Sequence, residues 1–203
     1  MCSNLMCLNR AATLLLSLLL ASAAATTSAS DGVRPAFKAG VFDPPRMAPE
    51  FSLQGSDGAE LTLARYRGKV VLMAFGYTSC AAVCPITLAT LAVARRSLGP
   101  AADAVQVIYV TVDPERDDAD RLKDYLDEFD PSFVGATGKP DALAVIRQNY
   151  GVTARKQATS DGYVMDHSSS IYLIDRSGKL RALMPYGHDA EDFVHDIKLL
   201  LVQ

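Results

Sequence analysis

The 203-residue sequence is poor in residues that crosslink or bind metal, with four cysteines and three histidines. Four cysteines are too few for a disulfide scaffold, and a chain this long can bury a core without such staples. Basic residues are not in excess, 20 Lys and Arg against 23 Asp and Glu. That balance excludes a nucleic-acid reader with a broad basic footprint. No internal repeat or low-complexity tract breaks the chain. The one long apolar run, over residues 11–25, has about 15 residues, short of the roughly 18–20 that span a bilayer. No cysteine follows it, so a bacterial lipoprotein anchor is not supported. Proline is missing between Pro140 and Pro185. What is present, 49% hydrophobic and 21% charged residues, is the balance of a globular protein.

Arg10, the apolar run and Ala21-Ser22-Ala23 follow the pattern of a secretory signal. Residues 1–23 are therefore expected to be a cleaved signal, in preference to an uncleaved anchor, and 24–47 a proline-containing linker or irregular lead-in. Residues 48–203 are expected to form the one domain. Cleavage removes Cys2 and Cys7, leaving two cysteines in an extracytoplasmic compartment, a bacterial periplasm, where thiols tend to be oxidised. Membrane contact is then expected only through a client or an uncleaved N-terminal segment.

Phe51-Ser-Leu and Leu61-Thr-Leu alternate around Gly55-Ser-Asp-Gly58, a hairpin signature. Lys69–Phe75 and Val105–Val112 are continuous apolar runs, as expected of strands buried on both faces. Between them Ile86, Leu88, Leu91, Val93 and Leu98 mark a helix. Helices are also expected over 118–129, 141–150 and from Asp189 onward, with a short strand at Phe133-Val134. Residues 170–174 and 179–184 read as a second hairpin. The expected fold is α/β, with a central mixed β-sheet flanked by helices and an N-terminal β-hairpin. This order is similar to that of a thioredoxin-like domain.

Cys80-Ala-Ala-Val-Cys84-Pro85 falls where a buried strand meets a helix. If the first turn is helical, spacing i and i+4 puts both sulfurs on one face, close enough for a disulfide or one metal ion. A helix N-terminus favours the thiolate, and Pro85 is tolerated there. As a staple the pair closes a loop too short to matter much, worth about 2 kcal/mol. Two soft thiolates suit copper(I), or zinc with further ligands.

A third ligand has only three histidines to come from. His195 falls on the polar side of the last helix and reads as a solvated residue; His188 precedes that helix and can position its start. His167, in Val164-Met-Asp-His-Ser168, lies just before the hairpin strand. In thioredoxin-like domains that loop faces the cysteine turn and normally presents a cis-proline. Here Ser169 falls at that position and an imidazole is nearby, which favours metal over general disulfide exchange. Asp166 is a candidate to orient the imidazole, or simply a solvated acid. Met165 shares a face with His167 if the segment is extended, as a ligand or a packing residue.

Phe75-Gly-Tyr-Thr-Ser-Cys80-Ala-Ala-Val-Cys84-Pro85, Thr111-Val-Asp-Pro-Glu-Arg-Asp117 and Val164-Met-Asp-His167-Ser together resemble the SCO/SenC copper-chaperone family. The resemblance implies that Cys80, Cys84 and His167 bind copper. It also implies delivery to the CuA site of cytochrome c oxidase subunit II, or reduction of that site's cysteines, with another copper chaperone or a thiol reductant as a further partner. The family commonly has proline and an acid where this chain has Ala81 and Ala82. The acids of Asp113–Asp117 are expected, by default, to cap the following helix. A stoichiometric metallochaperone is the leading reading. The alternative is a thiol-disulfide oxidoreductase using Cys80 and Cys84 as a redox pair. A peroxidase is weaker, since no arginine lies between Arg67 and Arg95.

Overall fold

The computed structural model describes residues 36–202, so the expected signal segment with Cys2 and Cys7 lies outside the described residues. In chain order the elements are β1 (Gly40–Met47), β2 (Ser52–Gly55), β3 (Glu60–Thr62), β4 (Val70–Gly76), α1 (Val83–Ser97), β5 (Val105–Thr111) and α2 (Ala119–Asp127). Then follow β6 (Val134–Thr137), α3 (Pro140–Tyr150), β7 (Ala154–Thr159), β8 (Gly162–His167), β9 (Ile171–Ile174), β10 (Lys179–Met184) and α4 (Ala190–Leu201). The two apolar runs become β4 and β5, buried at every position. They pair in parallel, β6 joins β5 in parallel, and β9 pairs antiparallel with β4. The full sheet runs β1-β10-β9-β4-β5-β6-β2-β3. Strands 4, 5 and 6 are joined by α1 and α2, the crossovers that parallel pairing requires. The expected mixed sheet flanked by helices, with a β2–β3 hairpin, is present. Asp118 and Asp189 cap α2 and α4, accepting from the N–H groups of Arg121 and Asp192 at 2.8 and 3.0 Å. Among the described residues no helix is long and apolar enough to cross a membrane.

Two segments differ from the sequence-based expectation. Residues 40–47, expected as an irregular lead-in, form the edge strand β1. It pairs with β10 only at Gly40, Val41, Arg46 and Met47, and the register shifts across the intervening Asp43-Pro44-Pro45. Proline has no amide to give the ladder, so the segment lacks a strand signature and is tolerated only at an edge. Just before it, the N–H groups of Lys38 and Ala39 donate to the fully buried carboxylate of Asp196 on α4 at 2.8 and 2.9 Å. The second difference is that His167 does not lie in a loop. It ends β8, which pairs with β7 in a two-stranded sheet separate from the main one.

At the end of β4 one glycine is required by space. A Cβ on Gly76 would sit 2.1 Å from the hydroxyl oxygen of Tyr109, a buried side chain on β5. Tyr109 has no room to retreat in a packed sheet core. Gly76→Ala is expected to lower stability by about 1–3 kcal/mol, seen as a reduced urea midpoint at unchanged slope. An unchanged midpoint would contradict this packing.

Candidate metal centre

Beyond Gly76 the chain leaves the sheet through Tyr77-Thr78-Ser79-Cys80, turned by a bond from the Cys80 N–H to the Tyr77 carbonyl at 3.3 Å. Asp117, with no exposed surface, fixes this turn. Its carboxylate accepts from the Thr78 N–H at 3.0 Å, the Thr78 hydroxyl at 2.6 Å and the Thr111 hydroxyl at 2.7 Å. Arg121, on α2, donates to Thr78 Oγ1 at 2.7 Å and Ser79 Oγ at 3.3 Å. An arginine distant in sequence therefore does reach the cysteine turn, which sequence spacing could not reveal.

Helix α1 begins at Val83, so Cys80 precedes the helix and Cys84 lies within its first turn. The condition of a helical first turn spanning both cysteines is not met. No side chain caps the helix at Ala82, leaving first-turn N–H groups free for another acceptor. The Cys80 sulfur lies beside them. Burial pushes its thiol up, but the N–H groups of Ala82, Cys84 and Val83, with the Cys84 thiol, outweigh burial and hold Cys80 below the usual thiol range. Cys84 is buried, and burial pushes its thiol up to about 12, only partly offset by the Tyr109 hydroxyl and the Tyr77 backbone. Both thiols are free.

His167 comes to this pair from β8. Its Nε2 lies 3.6 Å from Cys84 Sγ, and its Nδ1 lies 2.8 Å from the carbonyl of Ser168. A carbonyl only accepts, so Nδ1 carries a proton committed to Ser168, and Nε2 is the ring nitrogen turned toward the sulfur. The ring meets Tyr77 edge-on at 5.8 Å. Asp166 does not orient the imidazole. It is exposed, on the opposite face of β8 from His167, because side chains alternate along a strand, and the Ser168 carbonyl takes its place. Met165 shares the His167 face but packs against the core. His188 and His195 pair with Asp192 and Asp196 at 2.8 and 2.9 Å, away from the thiols.

The acids of Asp113–Asp117 do not cap α2; Asp118 does. Asp113 accepts from Arg116 and from the Tyr163 hydroxyl at 2.9 Å, and Glu115 pairs with Lys156 at 2.6 Å. The donor chemistry, two sulfurs and an imidazole nitrogen, fits a soft ion. The arrangement is two contacts meeting at Cys84, however, and not a closed shell. No three His, Cys, Asp or Glu side chains among the described residues are gathered tightly enough to enclose a metal.

The family model described as SCO1/SenC matches residues 41–202. The mitochondrial SCO2 homolog of Mus musculus is 36% identical over 153 residues, 73% of this chain but only 60% of that protein's length. Among solved structures, Bradyrhizobium japonicum ScoI with copper bound superposes with a TM-score of 0.71 at 38% identity, covering 76% of this chain and 99% of that one. Apo Sco1 from Thermus thermophilus gives 0.75 at 34% identity, covering 84% and 100%.

The difference between the thiols is directly measurable. With the unloaded protein and iodoacetamide, Cys80 is expected to be alkylated first, reaching its half-maximal rate at a lower pH than an ordinary thiol. Cys84 should stay unmodified until strongly alkaline pH or unfolding. Mass spectrometry finding Cys84 labelled first would contradict the assignment.

Proposed function

The chain belongs to the SCO1/SenC family, and from that premise we propose that it is a copper-binding assembly factor for cytochrome c oxidase. Copper is its cargo, held by Cys80, Cys84 and His167 and passed to the CuA site of subunit II. The observation that carries this reading is Nε2 of His167 facing Cys84 Sγ at 3.6 Å while Nδ1 is committed to the Ser168 carbonyl. An imidazole orientated through its other nitrogen is a preorganised ligand. Copper(I) favours thiolate sulfur and accepts imidazole, and its charge would draw the proton from Cys84, which burial alone retains. Partner thiolates would then replace the three ligands stepwise. This role is stoichiometric and extracytoplasmic.

The unequal thiols favour a second reading, reduction of the client's cysteines. The Cys80 thiolate attacks one sulfur of a client disulfide and the other sulfur leaves as a thiolate. Cys84, losing its proton to that leaving group, then attacks the Cys80 sulfur of the mixed disulfide, forming the Cys80–Cys84 bond and releasing the client's other sulfur as a thiolate. The client is reduced by two electrons and the Cys80–Cys84 pair is oxidised. The two roles use the same thiols at different times. Ala81 and Ala82 leave the Cys80 approach without an acidic side chain at those positions.

Anaerobic copper(I) titration of the reduced protein against a competing chelator should give one tightly held ion per chain. Cys80→Ser or Cys84→Ser should abolish it, and His167→Ala should weaken it at least about tenfold, ~1.4 kcal/mol. Undiminished affinity in His167→Ala would refute the three-ligand site, and client-disulfide reduction at full rate in that variant with no copper requirement would favour the oxidoreductase reading.

A further inference from the structure

The strand that delivers His167 is not part of the main sheet. Among the described residues, strands β7 and β8 pair only with each other, over Ala154↔His167 to Thr159↔Gly162. Seen from solvent the hairpin is polar. All of β7 except Ala154 is exposed, and only Tyr163, Met165 and His167 on β8 turn inward, half-buried. Such a hairpin has little apolar area to hold it against the domain, and a two-stranded ribbon alone is marginal in water. Beyond the packing of Ala154 and Met165 against the core, its attachment comes from specific contacts.

Those contacts converge on one arginine of the Asp113–Asp117 turn. Arg116 donates through Nε to Asp113, which is 2% exposed, and through Nη1 to the carbonyl of Tyr163 at 3.2 Å. Its guanidinium lies 3.8 Å from the Tyr163 ring centroid and 5.5 Å from that of Tyr77. The Tyr163 hydroxyl donates to the same Asp113 carboxylate at 2.9 Å. Lys156, on β7, covers the Tyr163 ring at 3.9 Å and pairs with Glu115. Arg116 therefore bridges the far end of the hairpin and the Tyr77 ring, and it is the Tyr77 ring that His167 meets edge-on. A planar guanidinium can stack on rings and bond in its plane at once, which lysine cannot.

We propose that Arg116 and Tyr163 are positioning residues for His167: their clasp on Asp113 and Tyr77 holds the β7–β8 arm so that the imidazole meets Cys84, and releasing it withdraws the third ligand while the thiols and the main sheet stay in place. The copper consequence rests on the function proposed above; the mechanical one does not. A hairpin held by a few polar and stacking contacts can open without unfolding the core. Its release gives the protein a way to lower copper coordination from three ligands to two when a partner competes for the clasp.

The test uses the full chain in three variants. Tyr163→Ala removes stacking and hydroxyl, Tyr163→Phe keeps the ring, and Arg116→Lys keeps the charge but loses the fork. In Tyr163→Ala the amides of 154–167 should exchange with solvent at least about tenfold faster, while those of β4 and β5 keep wild-type protection. The proton cross-relaxation between the Tyr77 and His167 rings should vanish. Copper(I) dissociation should accelerate by a similar factor, with no further acceleration when Tyr163→Ala is added to His167→Ala. Tyr163→Phe and Arg116→Lys should fall between, and either serves if Tyr163→Ala does not fold. Unchanged exchange and ring contact in the folded variants would overturn the clasp. Faster exchange with the ring contact and copper dissociation unaltered would overturn its role in placing His167. Failure of the wild type to bind copper would refute the copper reading alone, and exchange and ring contact would still decide the clasp.

Discussion

One residue without exposed surface ties together the ends of three parallel strands. Asp117 accepts from the Thr78 N–H and hydroxyl just beyond β4 and from the Thr111 hydroxyl that ends β5, and its backbone carbonyl accepts from the Thr137 hydroxyl that ends β6. Burying an ion is costly unless its oxygens are bonded, and three donors with Arg121 nearby satisfy that condition. The Cys80 turn hangs from this knot. Were it loosened, the turn would lose the bonds that hold Thr78, and with them the approach of Cys80 to the free N–H groups of α1.

From that fixed turn the chemistry divides between two sulfurs of different character. Cys80 lies outside the helix, half-buried, and gathers backbone N–H groups; Cys84 lies inside it, against Tyr109, sealed from water. One backbone feature, a helix beginning at Val83 without a side-chain cap, produces both outcomes. Four residues of separation thus give a half-buried thiol that ionises more readily than usual and a concealed one that keeps its proton. The imidazole arrives from a different part of the molecule, on a hairpin held by the half-buried Ala154 and Met165 and by polar and stacking contacts to the Asp113–Asp117 turn. The proposed centre therefore has two ligands built into the fold and one brought to it.

Legibility in the sequence followed the same division. Strands β4 and β5 announce themselves because burial on both faces demands unbroken apolar runs, and Asp189 announces α4 because a cap is a local interaction. The edge strand β1 was concealed by Pro44 and Pro45, which give up the amides that define a strand. The β7–β8 hairpin was concealed by Ala154-Arg-Lys-Gln-Ala-Thr159, a polar stretch with no hydrophobic face, although Asp161-Gly162 and the alternation of Tyr163, Met165 and His167 were available signals. Recognising that strand would also have placed Asp166 opposite His167. Cys80, Cys84 and His167 could be singled out from residue type and motif order. The work of Asp117, Arg116 and Arg121 could not, because their partners lie on other elements and a charged residue in a turn reads by default as a cap.

The central claim is that two sulfurs and one imidazole from this chain share a single copper ion. X-ray absorption at the copper edge, on anaerobically loaded protein and on His167→Ala, tests it most directly. Two sulfur neighbours and one nitrogen neighbour are expected in the wild type, with the imidazole scattering lost in the variant. A nitrogen shell that persists in His167→Ala, or a wild-type spectrum with sulfur neighbours alone, would contradict it.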